Sequence, residues 1–123
     1  MNREQVRARL REWAQSLGSR PDVLRVVLFG SFARGDATAA SDADVLIVLR
    51  ESGLRFHERI GEFQPTGLGV CVDVFPYTLE EARRSLAEGW GMAPPAAAEG
   101  ETLYASPDAP PFEREPRSRA ADC

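Results

Sequence analysis

The sequence predicts a small α/β domain, because short apolar runs of strand length alternate with segments whose apolar residues recur at helical spacing. The three clearest runs are Val23–Phe29, Ala43–Leu49 and Val70–Phe75. A chain of 123 residues can bury one hydrophobic core but not two separate ones. We therefore expect one domain over residues 1–104, followed by a disordered tail at residues 105–123, where the composition departs from that of a globular protein.

The first part of the chain is predicted to form a helix, a strand, a turn and a short helix. A stripe of apolar residues predicts an amphipathic helix that ends before Pro21. The stripe consists of Val6, Leu10, Trp13, Ala14 and Leu17. The strand at Val23–Phe29 stops at Gly30, and Ser31–Arg34 is long enough for one or two helical turns.

The middle of the chain is predicted to form two strands and two helices. Ala43–Leu49 is apolar on both faces, which favours a central strand, and Val70–Phe75 predicts a third strand. The helix between them is indicated by Phe56, Ile60 and Phe63. After the third strand, Thr78 and Glu81 have the spacing of a capping box, which predicts a helix that ends at Gly89.

The remaining segments are predicted to be connections. Asp36–Ser41 is a loop rich in small residues, and the proline- and alanine-rich Ala93–Ala98 is expected to be a linker. Glu101–Tyr104 is expected to add one last short paired segment.

Composition excludes several classes of function. The net charge of −4 argues against coating a nucleic-acid backbone, and the 15 basic residues are all arginine, which excludes lysine-based chemistry. Cys71 and Cys123 show neither disulfide nor metal-ligand spacing, so a reducing, cytoplasmic setting is expected. We expect neither a secretory signal nor a membrane span, because no apolar run is long enough. His57 alone supplies no ligand set.

The turn after the first strand predicts a phosphate site. A strand that ends in glycine and leads into a helix leaves backbone N–H groups pointing outward, and Gly30 lets a phosphate approach them. The Ser31 hydroxyl adds one donor at the same place. A Gly-Ser dipeptide is more often an ordinary turn, so this signal is weak by itself.

Three aspartates predict a metal site. Asp42 and Asp44 are two residues apart at the start of a strand, so their carboxylates share one face of the sheet, where Mg²⁺ would relieve their repulsion. A solvated loop pair is the simpler alternative. Asp73 interrupts an apolar run and needs either a partner or an exposed strand edge. If its strand lies beside that of Asp44, the three carboxylates can hold two metal ions.

These residues carry a resemblance to a known family. Gly30-Ser31, ten residues, and Asp42-Ala43-Asp44 match the signature of the DNA polymerase beta-like nucleotidyltransferase superfamily. Residues 28–35 and 41–48 are most similar to the minimal nucleotidyltransferases, or MNT proteins. The resemblance implies a mixed sheet with helices mainly on one face and the active site on the other.

The resemblance also implies roles for individual residues. Gly30 and Ser31 would hold the β- and γ-phosphates of ATP, and Arg34, otherwise a surface residue, would neutralise triphosphate charge. The aspartates would bind two Mg²⁺ ions, with Asp73 at the ion that activates the attacking hydroxyl. This hydroxyl would attack the α-phosphorus and release pyrophosphate.

Function and partners follow from the same resemblance. MNT proteins are commonly paired with a HEPN-domain RNase toxin, which they neutralise by adenylylating a tyrosine. The expected function is therefore AMP transfer from ATP to a partner protein by an antitoxin, with no membrane or nucleic-acid partner and with a homo-oligomer allowed. Two alternatives stay open: a small-molecule nucleotidyltransferase similar to aminoglycoside-modifying enzymes, and an antitoxin that only masks its partner.

Overall fold

The computed structural model describes residues 3–34 and 42–112. The first half forms α1 (Arg3–Ser16), a 3-10 turn (Leu17–Ser19), β1 (Val23–Phe29), α2 (Ser31–Arg34) and β2 (Ala43–Leu49). The second half forms α3 (Phe56–Phe63), β3 (Val72–Thr78), α4 (Leu79–Glu88), α5 (Ala93–Glu99) and β4 (Glu101–Ala105). The predicted α/β class and the alternation of helices and strands are confirmed.

The four strands form one mixed sheet in the order β3-β2-β1-β4. β2 and β3 run parallel, whereas β1 pairs antiparallel with both β2 and β4. This order confirms that β2 is an interior strand, as its apolar residues on both faces predict. It also places the third predicted strand directly beside the strand that carries Asp44.

Both faces of the sheet are covered by helices, although to different extents. On one face α1, α2 and α3 bury a cluster that includes Leu10, Phe32 and Phe63. On the other face Ala82 of α4 and Ala96 of α5 pack in a second cluster with Leu46 and Val48 of β2. The half-buried Asp44 and the exposed Asp73 lie on this second face, because they alternate along their strands with the residues of the first cluster.

The third strand begins and ends later than the sequence pattern indicates. It covers Val72–Thr78 rather than Val70–Phe75, so Cys71 precedes the strand and is exposed. Pro76 lies inside the strand, where it would normally break a ladder. Because β3 is an edge strand, the outer side of Pro76 has no neighbouring strand that needs its missing N–H.

The linker predicted at Ala93–Ala98 is wrong, because these residues form α5. Proline is tolerated in the first turn of a helix, where the missing N–H would have no intrahelical partner. Pro94 occupies that turn, and the alanines that follow have the highest helix propensity of any residue. The short paired segment predicted after it is confirmed as β4, which pairs with β1.

Residues 106–112, which were assigned to the tail, contact the domain. The Arg25 guanidinium donates to the Pro110 carbonyl over 2.8 Å, Arg50 pairs with Asp108 over 3.0 Å, and Phe112 packs against the second face. The disorder predicted for residues 113–123 and the loop predicted at residues 36–41 lie outside the described residues. Over the ranges 3–34 and 42–112, no helix combines the length and apolarity needed to cross a bilayer.

Candidate active site

The turn between β1 and α2 brings backbone into contact with a carboxylate. Gly30 has a φ of 82°, in the left-handed region that side chains other than glycine rarely adopt. A Cβ atom placed on Gly30 would lie 2.5 Å from Oδ2 of Asp44. Glycine is therefore required twice here, by the backbone conformation and by the carboxylate beside it.

Asp44 lies between residues of both neighbouring strands. It pairs with Phe29 of β1 and with Asp73 of β3. Paired residues of adjacent strands project to the same face of a sheet, so the Asp44 and Asp73 side chains share a face, which meets the condition set in the sequence prediction. Asp42 precedes β2 by one residue and is exposed, as is Asp73, whereas Asp44 is half-buried.

The three carboxylates interact electrostatically at Asp44. Burial raises the pKa of the Asp44 carboxyl above its usual value, and the negative charges of Asp73 and then Asp42 raise the pKa further. The residue paired with Asp44 on β1 is Phe29, whose ring centroid lies 6.0 Å from that of Phe75. Removing a carboxylate from water and facing it with like charges both disfavour its ionised form.

A divalent cation fits the donor chemistry of this cluster. Within the described ranges, no ion pair joins a cation to any of the three carboxylates. Carboxylate oxygens are the ligands that Mg²⁺ prefers. However, no group of three or more His, Cys, Asp or Glu side chains in the described part of the chain is arranged to hold a metal by itself. Mg²⁺ commonly completes its shell with phosphate oxygens and water, so an all-protein cage is not required.

Other predicted site residues are described only in part. The backbones of Ser31 and Arg34 belong to α2, but their side chains lie outside what the structure describes, as do residues 35–41. Their proposed phosphate contacts stay predictions.

One contact at the turn was missed by the sequence reasoning. Arg7 of α1 donates to the Phe32 carbonyl of α2 over 3.3 Å, and its guanidinium lies 5.8 Å from the centre of the Phe32 ring. Arg7 also pairs with Glu101. It therefore ties the short helix after Gly30 to α1 and to β4. The pattern of α1 shows only that Arg7 lies beside the apolar stripe, so no local signal identifies this role.

Comparison with known proteins shows the family of this chain. The family model described as a nucleotidyltransferase domain matches residues 8–90, which include β1, the Gly30 turn and all three aspartates. The chain belongs to the nucleotidyltransferase domain family. Its enzyme class is accordingly nucleotidyltransferase. No curated protein matches the sequence.

Solved structures share the fold of this nucleotidyltransferase. A candidate nucleotidyltransferase of Sulfolobus solfataricus matches with a TM-score of 0.57 and 20% identity over 86% of this chain and 85% of that chain. A toxin–antitoxin complex with AMP-PNP matches with a TM-score of 0.51 and 18% identity over 87% and 76%. An MNT antitoxin with a tri-AMPylated HEPN toxin of Shewanella oneidensis gives a TM-score of 0.49 and 15% identity over 85% and 74%. At these identities the likeness concerns the fold.

Proposed function

We propose that this nucleotidyltransferase moves AMP from ATP to a hydroxyl of a partner protein in the presence of Mg²⁺. The observation that carries the proposal is the pairing of Asp44 with Asp73 beside the Gly30 turn, because it puts acidic ligands next to backbone that a phosphate can approach. The toxin–antitoxin structure that shares this fold contains AMP-PNP, an ATP analogue, which favours ATP as the donor.

The acceptor is proposed to be a tyrosine of a HEPN-domain toxin, which would make this chain its antitoxin. Two observations support a protein acceptor. Residues 28–35 and 41–48 resemble those of MNT proteins, and the fold is shared with the antitoxin-containing complex. In addition, Asp42 and Asp73 are exposed, so a macromolecular acceptor can reach the acidic end of the sheet.

Each residue has a proposed task in the transfer. Gly30 and Ser31 bind the β- and γ-phosphates, and Arg34 neutralises part of their charge. Asp42, Asp44 and Asp73 hold Mg²⁺, which when bound stabilises negative charge on the phosphates and makes the acceptor hydroxyl more acidic. The exposed Asp73 receives the proton of the acceptor hydroxyl. The acceptor oxygen then bonds to the α-phosphorus, the bond to the bridging oxygen breaks, and pyrophosphate leaves.

Label transfer tests this proposal directly. The protein is incubated with ATP radiolabelled at the α-phosphate, Mg²⁺ and the product of the adjacent gene, and the label on that product is measured. We expect label on a tyrosine with the native chain and with Glu80→Gln, an exposed acid on α4, but loss of at least about a hundredfold with Asp44→Asn.

Other outcomes separate the alternatives. Label on an aminoglycoside, but not on the neighbouring protein, would replace the protein acceptor with a small molecule. If no metal or nucleotide supports transfer while the two proteins still bind each other, the antitoxin acts by masking, and the catalytic proposal is wrong.

A further inference from the structure

Exposed apolar side chains are concentrated at one place on the described surface. In residues 3–34 and 42–112, the large hydrophobic residues with high exposure are Leu54, Phe56 and Trp90, at 42%, 37% and 43%. Phe56 and Trp90 line one groove together with Tyr77 and Glu81. Leu54 lies two residues before Phe56, so all three exposed residues belong to the same region. Such concentrations mark interaction sites on soluble proteins.

We call the groove lined by Phe56, Tyr77, Glu81 and Trp90 the aromatic groove. Its three aromatic rings lie in a row. The Phe56 and Tyr77 centroids are 5.8 Å apart in an edge-to-face arrangement, and those of Tyr77 and Trp90 are 6.2 Å apart. Tyr77 is buried at the centre, with Phe56 and Trp90 exposed on either side. The groove therefore presents aromatic surface to a ligand rather than to the protein core.

The backbone around Trp90 is held in place although its ring is exposed. The Tyr77 hydroxyl accepts from the Met92 N–H over 2.9 Å, and the Ser85 hydroxyl donates to the Trp90 carbonyl. Gly91 has a φ of 68°, and a Cβ there would lie 2.5 Å from the Tyr77 hydroxyl oxygen. These contacts fix the chain on both sides of Trp90, so the exposed indole belongs to a preformed surface.

A negative charge at the edge of the groove indicates that its ligand is positively charged. The Glu88 carboxylate accepts from the Trp90 indole N–H over 2.7 Å, and no arginine of the described ranges lies within ion-pair distance of it. Glu81, by contrast, is already paired with Arg59. An aromatic surface beside an unneutralised carboxylate suits a guanidinium, which stacks on rings and pairs with carboxylates through its planar N–H groups.

We propose that the aromatic groove binds an arginine side chain, flanked by apolar residues, on a partner protein. The identification of that partner with the acceptor rests on the proposed function. Tyr77 follows Asp73 by four residues on β3, about 13 Å along the strand, and both belong to the same face of the sheet. A protein docked at the groove can therefore present a hydroxyl to the acidic site.

Indole signals in proton–nitrogen spectra of the full chain test the proposal. The chain has two tryptophans, so Trp90→Phe assigns both signals and the Trp13 signal is an internal control. The probes are the amidated, acetylated tripeptides Leu-Arg-Leu and Leu-Gln-Leu. We expect the arginine peptide to shift the Trp90 signal saturably and to bind about tenfold more tightly than the glutamine peptide. Glu88→Gln should remove most of this difference, whereas Glu80→Gln should not.

Several results would overturn the proposal. They are the absence of a saturable shift at Trp90, equal shifts with both peptides, or equal movement of the Trp13 signal. A Trp90 signal that depends on protein concentration, with a dimer in sedimentation, would assign the groove to a second copy. A Trp90 shift in the free protein after Arg114, Arg117 and Arg119 are replaced by Gln would assign it to the terminal segment. Both assignments exclude the proposed partner.

A kinetic measurement links the groove to the acceptor. Trp90→Ala should raise KM for the acceptor protein at least about fivefold while kcat stays unchanged, because docking is weakened and the acidic site is intact. An unchanged KM would exclude the groove as the acceptor's docking site. If no transfer occurs in any condition, the proposed function is wrong, but the peptide titration still tests arginine binding at the groove.

Discussion

At the residue scale, position 30 requires glycine for two reasons, the left-handed backbone conformation and the nearby Asp44 carboxylate, and substitutions can distinguish them. Gly30→Ala places a methyl group in a left-handed conformation and against the Asp44 carboxylate, 2.5 Å away. We expect a loss of more than about 1–2 kcal/mol in the free energy of unfolding, together with loss of nucleotide binding because Asp44 is displaced. Denaturant titration and the thermal shift produced by MgATP measure the two effects.

Gly67 is the matched control for this substitution. Its φ is 73°, but a Cβ atom there has nothing within 4 Å. Gly67→Ala therefore carries only the backbone cost of about 1–2 kcal/mol and should keep the MgATP response. Equal losses of stability in the two variants would show that the contact with Asp44 has no energetic importance.

Asp44→Asn is predicted to stabilise the metal-free protein while abolishing transfer. Burial and the charges of Asp73 and Asp42 raise the pKa of the Asp44 carboxyl, so its ionised form opposes folding at neutral pH. The neutral amide removes this repulsion, and we expect a gain of roughly 0.2–1 kcal/mol in buffer that contains EDTA. Asp42→Asn should stabilise less because Asp42 is exposed. A loss of stability in Asp44→Asn would mean that the carboxylate makes a favourable interaction in the folded state.

The sequence predicted much of the acidic cluster because β-strand geometry is regular. The alternation of side chains put Asp42 and Asp44 on one face, and Asp73 was expected to join them if its strand lay beside theirs. The pairing of Asp44 with Asp73 meets this condition. The proximity of Asp44 to Gly30 was implied by the family resemblance and not by the residue pattern, since it depends on the antiparallel register of β1 and β2. Arg7 was missed for the same reason: its contacts with Phe32 and Glu101 join residues far apart in the chain.

At the element scale, Arg59 connects three elements and makes stability depend on pH. It is buried in α3, donates to the Pro76 carbonyl of β3 over 2.8 Å and pairs with Glu81 of α4. Hydrogen bonds from Arg59, and then from the Thr78 backbone N–H, lower the pKa of the Glu81 carboxyl below its usual 4.5, although burial raises it. A lowered pKa means that this contribution to stability is complete above about pH 4.5 and is lost as pH falls through the folded-state pKa.

Glu81→Gln should therefore cost about 1 kcal/mol at pH 7 and less at pH 3, because the contribution of the charged carboxylate decreases as the pH falls below about 4.5. The estimate is modest because the Glu81 side chain is 39% exposed. Unfolding free energies measured by urea titration at both pH values test the prediction. The neighbouring Glu80→Gln should change stability by less than about 0.5 kcal/mol at either pH. A cost for Glu81→Gln that is equal at both pH values would show that its charge is unimportant.

Elements with strong local signals were predicted well, and those that depend on their surroundings were not. Thr78 and Glu81 form the capping box that the sequence indicated, and Gly89 ends α4 with a φ of 79°. α5 was missed because its prolines suggested a linker, although packing of Ala93 and Ala96 on the sheet stabilises the helix. β3 ends at Thr78 rather than at the predicted Phe75, because its pairing with β2 continues beyond the apolar run.

At the scale of the whole molecule, metal and nucleotide are predicted to bind together. The three carboxylates do not enclose a metal by themselves, and the Gly30 turn is predicted to offer backbone donors to phosphate. Phosphate oxygens, together with water, would therefore complete the shell of Mg²⁺, and Mg²⁺ would offset the repulsion between phosphates and carboxylates. We expect little stabilisation by Mg²⁺ alone or by ATP with EDTA.

MgATP, in contrast, should raise the melting temperature by more than the sum of the two separate shifts. A coupling of about 1–3 kcal/mol corresponds to a 5- to 150-fold gain in apparent affinity. The melting temperature is measured with each ligand alone and with both, for the native chain, Asp44→Asn and Glu80→Gln. The excess should vanish in Asp44→Asn and persist in Glu80→Gln, because only Asp44 lies beside the Gly30 turn. Strong stabilisation by Mg²⁺ alone would indicate a protein-only metal site and would contradict a shell shared with the triphosphate.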